Sequence, residues 1–246
     1  MTGSRDRGYP TSSNRASSFH AHWLPREILS EVSVSLQIAV SPAVAELYFW
    51  ALQASFTGSD GISGGAHLGL QWHPSYPGSR AVNWGGYAND GSILEGSDSP
   101  LSSTLANANT RDYWWEPEQE YRLRIRAEEP GWWAGEVTSL ATGATTPVRR
   151  LHSGGEGLTL AIVWSEVFAR CDAPPVVALW SDPAGVTHDG RSWRPQSYSI
   201  TYQREEDGGC SNTDVRALPS GVGQFTGMRR TTAHGSVIPV EGISEG

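Results

Sequence analysis

Apolar and polar residues alternate along most of this chain with a period of two. The clearest run alternates five apolar side chains with Ser33, Ser35, Gln37 and Ala39, the apolar ones being Val32, Val34, Leu36, Ile38 and Val40. Successive side chains of a strand point to opposite faces, so this pattern predicts a half-buried β-strand. Similar extended runs lie at 47–56, 66–73, 80–87, 121–127, 132–140, 158–168, 176–180 and 196–203.

Turn sequences rich in glycine, aspartate and asparagine separate these runs, as in Gly58-Ser59-Asp60-Gly61 and Asn89-Asp90-Gly91. No long window carries the apolar stripe of an amphipathic helix. Many short strands joined by such turns are typical of an all-β sandwich or barrel. The pattern starts and stops within the chain, and it predicts a flexible leader at 1–22, a β-sandwich domain at 23–217 and a weakly structured tail at 218–246.

Composition narrows the function classes. The chain has 246 residues and a formal net charge of −8, which argues against binding to a nucleic-acid phosphate backbone. No apolar stretch reaches the ~18–20 residues of a membrane span. All 18 basic side chains are arginine, so lysine chemistry such as Schiff-base formation is excluded.

The first residues contain arginines but no apolar signal core, so we expect a cytoplasmic protein, or a secreted one if translation starts elsewhere. Cys171 and Cys210 fit no metal-binding spacing and form either a disulfide or two free thiols. Histidines and acids show no metal-ligand pattern, and neither a metal nor a cofactor is expected.

Tryptophan is unusually frequent, with 11 copies. Trp72 and Trp164 continue apolar alternations and are predicted core residues. Trp84 and the adjacent pairs 114–115 and 132–133 lie in or beside turns. One member of each pair must face away from the core, because neighbours in a strand point to opposite faces. Exposed indole rings stack on sugars, so Trp84 and Trp115 are candidate ligand residues; loops folded over the rings are the alternative.

Polar residues alternate with these apolar ones. Gln53, Gln71, Asn83 and Arg124 would offer amide and guanidinium groups on a curved sheet face, as in a polar-ligand cleft. An ordinary solvated face is the alternative, and Arg122, Arg124 and Arg126 are expected to form cross-strand ion pairs.

Glu166 is the acid that we single out, because it ends an apolar strand and would be partly desolvated. A strand-end ion pair with Arg170 is the alternative. The sequence contains no metalloprotease, nucleophile-elbow or P-loop motif, and catalysis is left undecided with a preference against it.

Three segments, YFWALQASF, GGAHLGLQWHP and SRAVNWGGY, resemble the bacterial family called domain of unknown function 3472. The family's Gly-Gly-aromatic-x-Gly-x-Gln strand corresponds here to Gly64–Gln71, with His67 near the aromatic position, and its Trp-ending strand to Ala81–Trp84. The resemblance implies a concanavalin A-like jelly roll, a fold found beside carbohydrate-active modules.

We therefore predict an antiparallel β-sandwich of jelly-roll type that binds a carbohydrate or other polar ligand on its concave sheet face. Gln71, Asn83 and Trp84 would be central, surrounded by Gln53, Trp115, Arg124 and Glu166. A polysaccharide lyase or glycoside hydrolase on the same scaffold is the first alternative, and a protein-interaction module is the second. Oligomeric state is left open.

Overall fold

The computed structural model describes residues 6–240, which form strands and no α-helix. Two short 3-10 turns interrupt them, at Pro77–Ser79 and Glu205–Asp207. The strands are β1 (Ser17–His22), β2 (Leu29–Val40), β3 (Tyr48–Gly58), β4 (Gly61–Trp72), β5 (Arg80–Ala88), β6 (Glu95–Gly96), β7 (Thr110–Asp112), β8 (Glu120–Ala127), β9 (Trp132–Ser139), β10 (Thr145–His152), β11 (Gly157–Val167), β12 (Val177–Thr187), β13 (Ser192–Trp193), β14 (Ser197–Tyr202), β15 (Thr213–Leu218), β16 (Gly221–Thr226) and β17 (Val237–Pro239). Within the described range, no helix has the length and apolar character needed to cross a membrane.

Antiparallel pairing arranges these strands in two layers. Sheet 1 has the order β17-β14-β1-β11-β3-β4-β5-β7. Sheet 2 has the order β15-β16-β12-β2-β8-β9-β10-β6. Within the described residues, a bridge between Leu158 and Leu29 joins the layers at the beginnings of β11 and β2. The predicted all-β antiparallel sandwich of jelly-roll type is confirmed.

The core lies between the sheets and is built from the apolar set of each alternating strand. On β2 the predicted inward residues Val32, Val34, Leu36 and Ile38 are buried, but Ser33 and Ser35 are buried as well and Val40 is 45% exposed. Large rings fill the layer, because six tryptophans are almost completely buried: Trp23, Trp50, Trp84, Trp115, Trp133 and Trp180. This buried apolar area is the main stabilising contribution to the fold.

Strands also occur in the predicted flexible leader and in the predicted weakly structured tail. β1 lies within the predicted leader, where Phe19 and Ala21 are buried and the strand pairs with both β11 and β14. β16 and β17 lie within the predicted tail. The alternation in β1 is short and its polar positions are histidines, so its partners, more than a hundred residues away, decide its conformation. Residues 1–5 and 241–246 lie outside the described residues.

Cys171 and Cys210 form a disulfide, with their Cα atoms 5.5 Å apart. The bond joins the loop after β11 to the loop before β15, and both residues are buried. The Asn212 amide donates to the Cys171 carbonyl oxygen at 2.7 Å, and the Cys210 backbone N–H donates to the Ser17 hydroxyl at 2.9 Å. Of the two states that the sequence left open, the structure has the oxidised one.

Candidate functional site

Strand register collects most of the predicted polar residues on the outer face of sheet 1. Gln53 on β3 lies opposite His67 on β4, and Phe49 lies opposite both Gln71 on β4 and Glu166 on β11. Asn83 on β5 lies opposite Gly69. Residues opposite each other in adjacent strands share a face. We call this surface the polar face; it comprises Gln53, Ser55, Gly65, His67, Gln71, Asn83, Tyr87, Trp164, Glu166, His20 and His22.

Three aromatic side chains fill the centre of the polar face. The ring centroids of Phe49 and Trp164 are 4.8 Å apart, and His67 lies 5.4 Å from Phe49 and 5.7 Å from Trp164. Gly69 makes room for this cluster, since a Cβ atom there would lie 2.7 Å from Phe49 Cε2. Trp164 is only 7% exposed and its indole N–H donates to Gln53 Oε1 at 3.0 Å. The cluster therefore fixes the Gln53 amide and offers little free ring surface.

One end of the face holds two buried amides with unused acceptors. Gln71 is 5% exposed and Asn83 is 8% exposed. Asn83 donates to the Thr110 hydroxyl at 2.8 Å, but Asn83 Oδ1 and Gln71 Oε1 accept no hydrogen bond from any described residue. Buried polar atoms without partners cost free energy, and they are frequent at binding sites.

The other end of the face is open. Tyr87 is 52% exposed and lies opposite Gly65, which in turn lies opposite Ser55. The three atoms nearest to a Cβ atom placed on Gly65 would all belong to β3, at 3.4 Å or more, so the position is free of steric clash. Tyr87, Gly65 and Ser55 thus form a strip across three strands, beside Gln53 and His67.

The histidines of the polar face are held neutral. Burial lowers the pKa of His67 to about 4. Burial and the neighbouring His22 lower the pKa of His20 to about 4 as well. His22 Nε2 lies 2.8 Å from the Thr201 hydroxyl, which is also 3.4 Å from His20 Nδ1. At neutral pH these rings can donate and accept hydrogen bonds but carry no charge.

Glu166 is the acid of this face. Burial raises its pKa, partly offset by hydrogen bonds to Oε1 from the Asn14 amide at 2.7 Å and the Ser18 hydroxyl at 3.4 Å. The alternative partner Arg170 instead pairs with Asp172 at 2.9 Å. Glu166 therefore makes hydrogen bonds and no ion pair within the described residues.

Trp84 and Trp115 do not reach this face. Both are completely buried in the core between the sheets. Trp84 follows Asn83 directly on β5, so the alternation that turns Asn83 outward turns Trp84 inward. Trp115 is the inward member of its pair, whereas Trp114 is 62% exposed. Their burial corrects the expectation that their rings are available to a ligand.

Trp164 is also placed differently from the sequence expectation of a core residue. A register shift in the pairing of β11 with β3 between Thr159 and Ile162 changes the alternation, and Ile162 and Trp164 face outward. Such a bulge places one extra residue in a strand and cannot be read from period-two patterning alone.

Arg124 lies on the outer face of sheet 2, on the far side of the molecule from the polar face. Its guanidinium pairs with Glu31 and, at 3.5 Å, with Glu136, which also pairs with Arg126 at 2.7 Å. This is the cross-strand ion-pair arrangement that the sequence analysis offered as its alternative. Arg124 is thus committed to a network and is not available beside Gln71.

Among the residues that the structure describes, no cluster of histidine, cysteine and acid side chains could hold a metal ion. Cavities of about 540, 640 and 660 Å³ lie elsewhere, beside the disulfide, around His152 and His188, and around Tyr9. None of these three cavities is lined by a residue of the polar face.

The sequence analysis missed Tyr87 as a site residue. It lies four residues after Asn83 on the same strand, so the same alternation places it on the same face. Its exposure follows from its position beside the Asn89-Asp90-Gly91 turn.

No family model matches the sequence, and no curated protein matches it, so the resemblance to domain of unknown function 3472 is not shown. A solved structure of scytalido-glutamic peptidase with a transition-state analogue is 9% identical, with a TM-score of 0.48 over 86% of this chain and 98% of the peptidase. SCP-B, a member of the eqolisin family of peptidases, is 12% identical with the same TM-score and coverages of 86% and 98%. The CBM2 module of a Lactobacillus casei phage protein is 12% identical, with a TM-score of 0.26 over 66% of this chain and 69% of the module. These likenesses concern the β-sandwich fold and carry no argument about activity.

Proposed function

We propose that the chain binds a hydroxyl-rich ligand, a glycan, on the polar face of sheet 1. The observation that carries this proposal is the open strip in which the exposed residue Tyr87 lies opposite side-chain-free Gly65, which in turn lies opposite Ser55. A flat aromatic ring next to small residues suits the C–H surface of a sugar ring. Hydrogen-bonding groups of Gln53 and His67 flank the strip.

The chemistry of the flanking groups supports a neutral, hydroxylated ligand. The side-chain oxygen of Gln53 accepts a hydrogen bond from the Trp164 indole N–H. The N–H₂ group of the same amide therefore points away from Trp164 and can donate to a ligand. His67 is uncharged at neutral pH because burial lowers its pKa to about 4. Gln71 and Asn83 add two unused acceptors further along the face. Amides and neutral imidazole match hydroxyl groups, which both donate and accept.

Replacing Tyr87 with alanine tests this proposal. We expect Tyr87→Ala to weaken binding by roughly tenfold for glycans retained by the wild-type protein on a glycan array, because exposed aromatic anchors typically contribute more than ~1 kcal/mol. Tyr9→Ala is the matched control, since Tyr9 is 51% exposed and Tyr87 is 52% exposed. Isothermal titration calorimetry with the best array ligand gives the affinities.

Two results would contradict the proposal. One is a wild-type protein that retains no glycan from the array. The other is a retained glycan whose affinity falls equally in the Tyr87 and Tyr9 variants.

A second candidate function is lyase or hydrolase action on a polysaccharide, and one observation favours it. Glu166 has its pKa raised by burial, as required of a general acid. A glycosidase pair needs a second carboxylate ~5–9.5 Å away. Asp112, in the same register row, is four strand spacings from Glu166, on the order of 19 Å along the sheet. Any such chemistry would therefore use Glu166 without a carboxylate partner from that row.

The Glu166→Gln variant tests this second candidate. If Glu166 donates a proton, we expect release of reducing ends from a polysaccharide panel to fall at least a hundredfold.

The variant keeps an acceptor for Asn14 and Ser18, and we expect its melting temperature at pH 7 to be equal to or above that of the wild type. A group whose pKa is raised by folding contributes stability at low pH that is lost as the pH rises through its folded-state pKa. Absence of wild-type turnover, or unchanged turnover in the variant, would exclude the second candidate.

A further inference from the structure

Two arginines that make no ion pair within the described residues lie on strands that both contact β5: Arg111 is on β7, which pairs with β5, and Arg149 is on β10, which packs against it. Arg149 on β10 is 7% exposed and lies opposite Gly135 on β9. A Cβ atom placed on Gly135 would meet the Trp84 ring in the core, so this side of the two strands faces the core. Arg149 Nε donates to the Trp84 carbonyl oxygen at 3.3 Å, and Nη2 donates to the Asn109 amide oxygen. The Arg149 guanidinium is therefore turned toward β5 and away from bulk solvent.

Arg111 places a second positive charge beside the same strand. It lies opposite Val82 on β5, whose side chain belongs to the core. Arg111 Nη1 donates to the carbonyl oxygens of Asn107 and Thr110, while its Nε is buried and has no hydrogen-bond partner. The pKa of Arg149 is lowered by burial and by the charge of Arg111, and no acidic group opposes this shift.

The absence of a counter-charge is the unusual feature. The ion pairs found in residues 6–240 include neither Arg149 nor Arg111. Burying a charge is costly unless it is paired, and two like charges in one place increase the cost. A backbone carbonyl and an amide oxygen could be bound by a neutral side chain, so those two contacts do not by themselves explain an arginine here.

The backbone around the pair is shaped to admit these side chains. A Cβ atom on Gly96 would lie 2.6 Å from both Cζ and Nη1 of Arg149, so any larger residue there would displace the guanidinium from its present position. A Cβ atom on Gly85 would lie 2.5 Å from Asn109 Cγ, so glycine there leaves room for the acceptor of Arg149. Glycines on β6 and β5 thus leave the space that the Arg149 guanidinium and its acceptor Asn109 occupy.

We propose that Arg149 and Arg111 form a binding site for a small oxyanion, a carboxylate, sulfate or phosphate group. The guanidinium fork matches the planar or tetrahedral oxygen pairs of these groups, and an anion between the two arginines would offset their repulsion. The site is separate from the polar face and does not depend on the function proposed for it.

Thermal unfolding of the full chain in different sodium salts tests this site. The salts are phosphate, sulfate and acetate, each compared with chloride at equal ionic strength and pH. We expect at least one oxyanion to raise the melting temperature of the wild type by about 3 °C more than that of Arg111→Gln. Comparing proteins within one salt removes general salting effects, which act on both. Arg194→Gln is the control, because Arg194 is exposed and makes no ion pair within the described residues, and it should respond as the wild type does.

The three anions separate the ligand chemistries. A response to acetate alone indicates a carboxylate site, whereas a response to phosphate and sulfate indicates a tetrahedral oxyanion site. Equal responses of wild type, Arg111→Gln and Arg194→Gln to every salt would overturn the proposal, because Arg149 would then serve only to join β10 to β5. If Arg111→Gln does not fold, titration of the wild type with phosphate, followed by ¹⁵N NMR of arginine side chains, takes its place. Saturable chemical-shift changes in the side-chain signals of two arginines would support the site, and the absence of such changes would overturn it.

Discussion

Removing the disulfide should lower the free energy of unfolding by about 4 kcal/mol. The bond links residues 39 positions apart, and closing a loop of that size restricts the unfolded chain by roughly this amount. For a domain of this length that corresponds to a fall in melting temperature on the order of 10 °C. Calorimetry of the Cys171→Ser, Cys210→Ser double variant, compared with the wild type, measures it.

The reductant response of the wild type provides the control. Dithiothreitol should lower the wild-type melting temperature to near that of the double variant and leave the double variant unchanged. An identical melting temperature for oxidised wild type, reduced wild type and double variant would show that the bond does not form in solution.

The disulfide also bears on compartment. Disulfides persist in oxidising environments and are rare in the cytosol of mesophiles. Of the two locations that the sequence analysis leaves open, cytoplasmic and secreted, we propose the one outside the reducing cytosol. Alkylation of the thiols in freshly lysed cells, followed by mass spectrometry of the Cys171 peptide, tests this: free thiols in the native source would contradict it.

Acidification should destabilise the fold steeply between about pH 6.5 and pH 4. His20 and His67 have pKa values lowered from 6.5 to about 4, because burial penalises their charged forms. A group whose pKa is depressed by folding contributes stability above its unfolded pKa, and that stability is lost as the pH falls through the folded-state pKa. Each ring should account for about 2–3 kcal/mol of the loss, after allowance for its partial exposure.

The His67→Phe variant isolates one of these contributions. Phenylalanine keeps a ring between Phe49 and Trp164 but cannot bind a proton, so the variant should lose less stability on going from pH 7 to pH 4.5. Urea unfolding at each pH gives the free energies. The His188→Gln variant is the control, because it removes an exposed histidine in place of a buried one. If His67→Phe and His188→Gln have equal pH profiles, the assignment to His67 is wrong.

Period-two alternation was enough to predict the sandwich and the outward direction of several site residues. Gln53, Gln71 and Asn83 were placed on one sheet face from their neighbours in sequence, and strand register brings them together. The same rule turns Trp84 inward, since it follows Asn83 on β5, so strand geometry and not the stacking chemistry of tryptophan determines where this ring lies.

Long-range contacts decided what local pattern could not. The bulge that turns Trp164 outward depends on how β11 pairs with β3, more than a hundred residues earlier in the chain. β1 becomes a strand because β11 and β14 flank it. Arg124 lies on the opposite face of β8 from the core residues Leu123 and Ile125, as the alternation predicts. The alternation does not show that β8 belongs to sheet 2 and not to sheet 1. Which outer face carries a site is a property of the assembled layers.

Hydrogen exchange measured by mass spectrometry, with and without the best array glycan, tests the central claim most directly. If the polar face of sheet 1 is the binding surface, the ligand should slow exchange in peptides covering 53–58, 63–71 and 83–89. Peptides from the outer face of sheet 2, at 120–127 and 134–139, should be unchanged. Protection confined to sheet 2, or a bound glycan that protects neither sheet, would contradict the assignment of the site to this face.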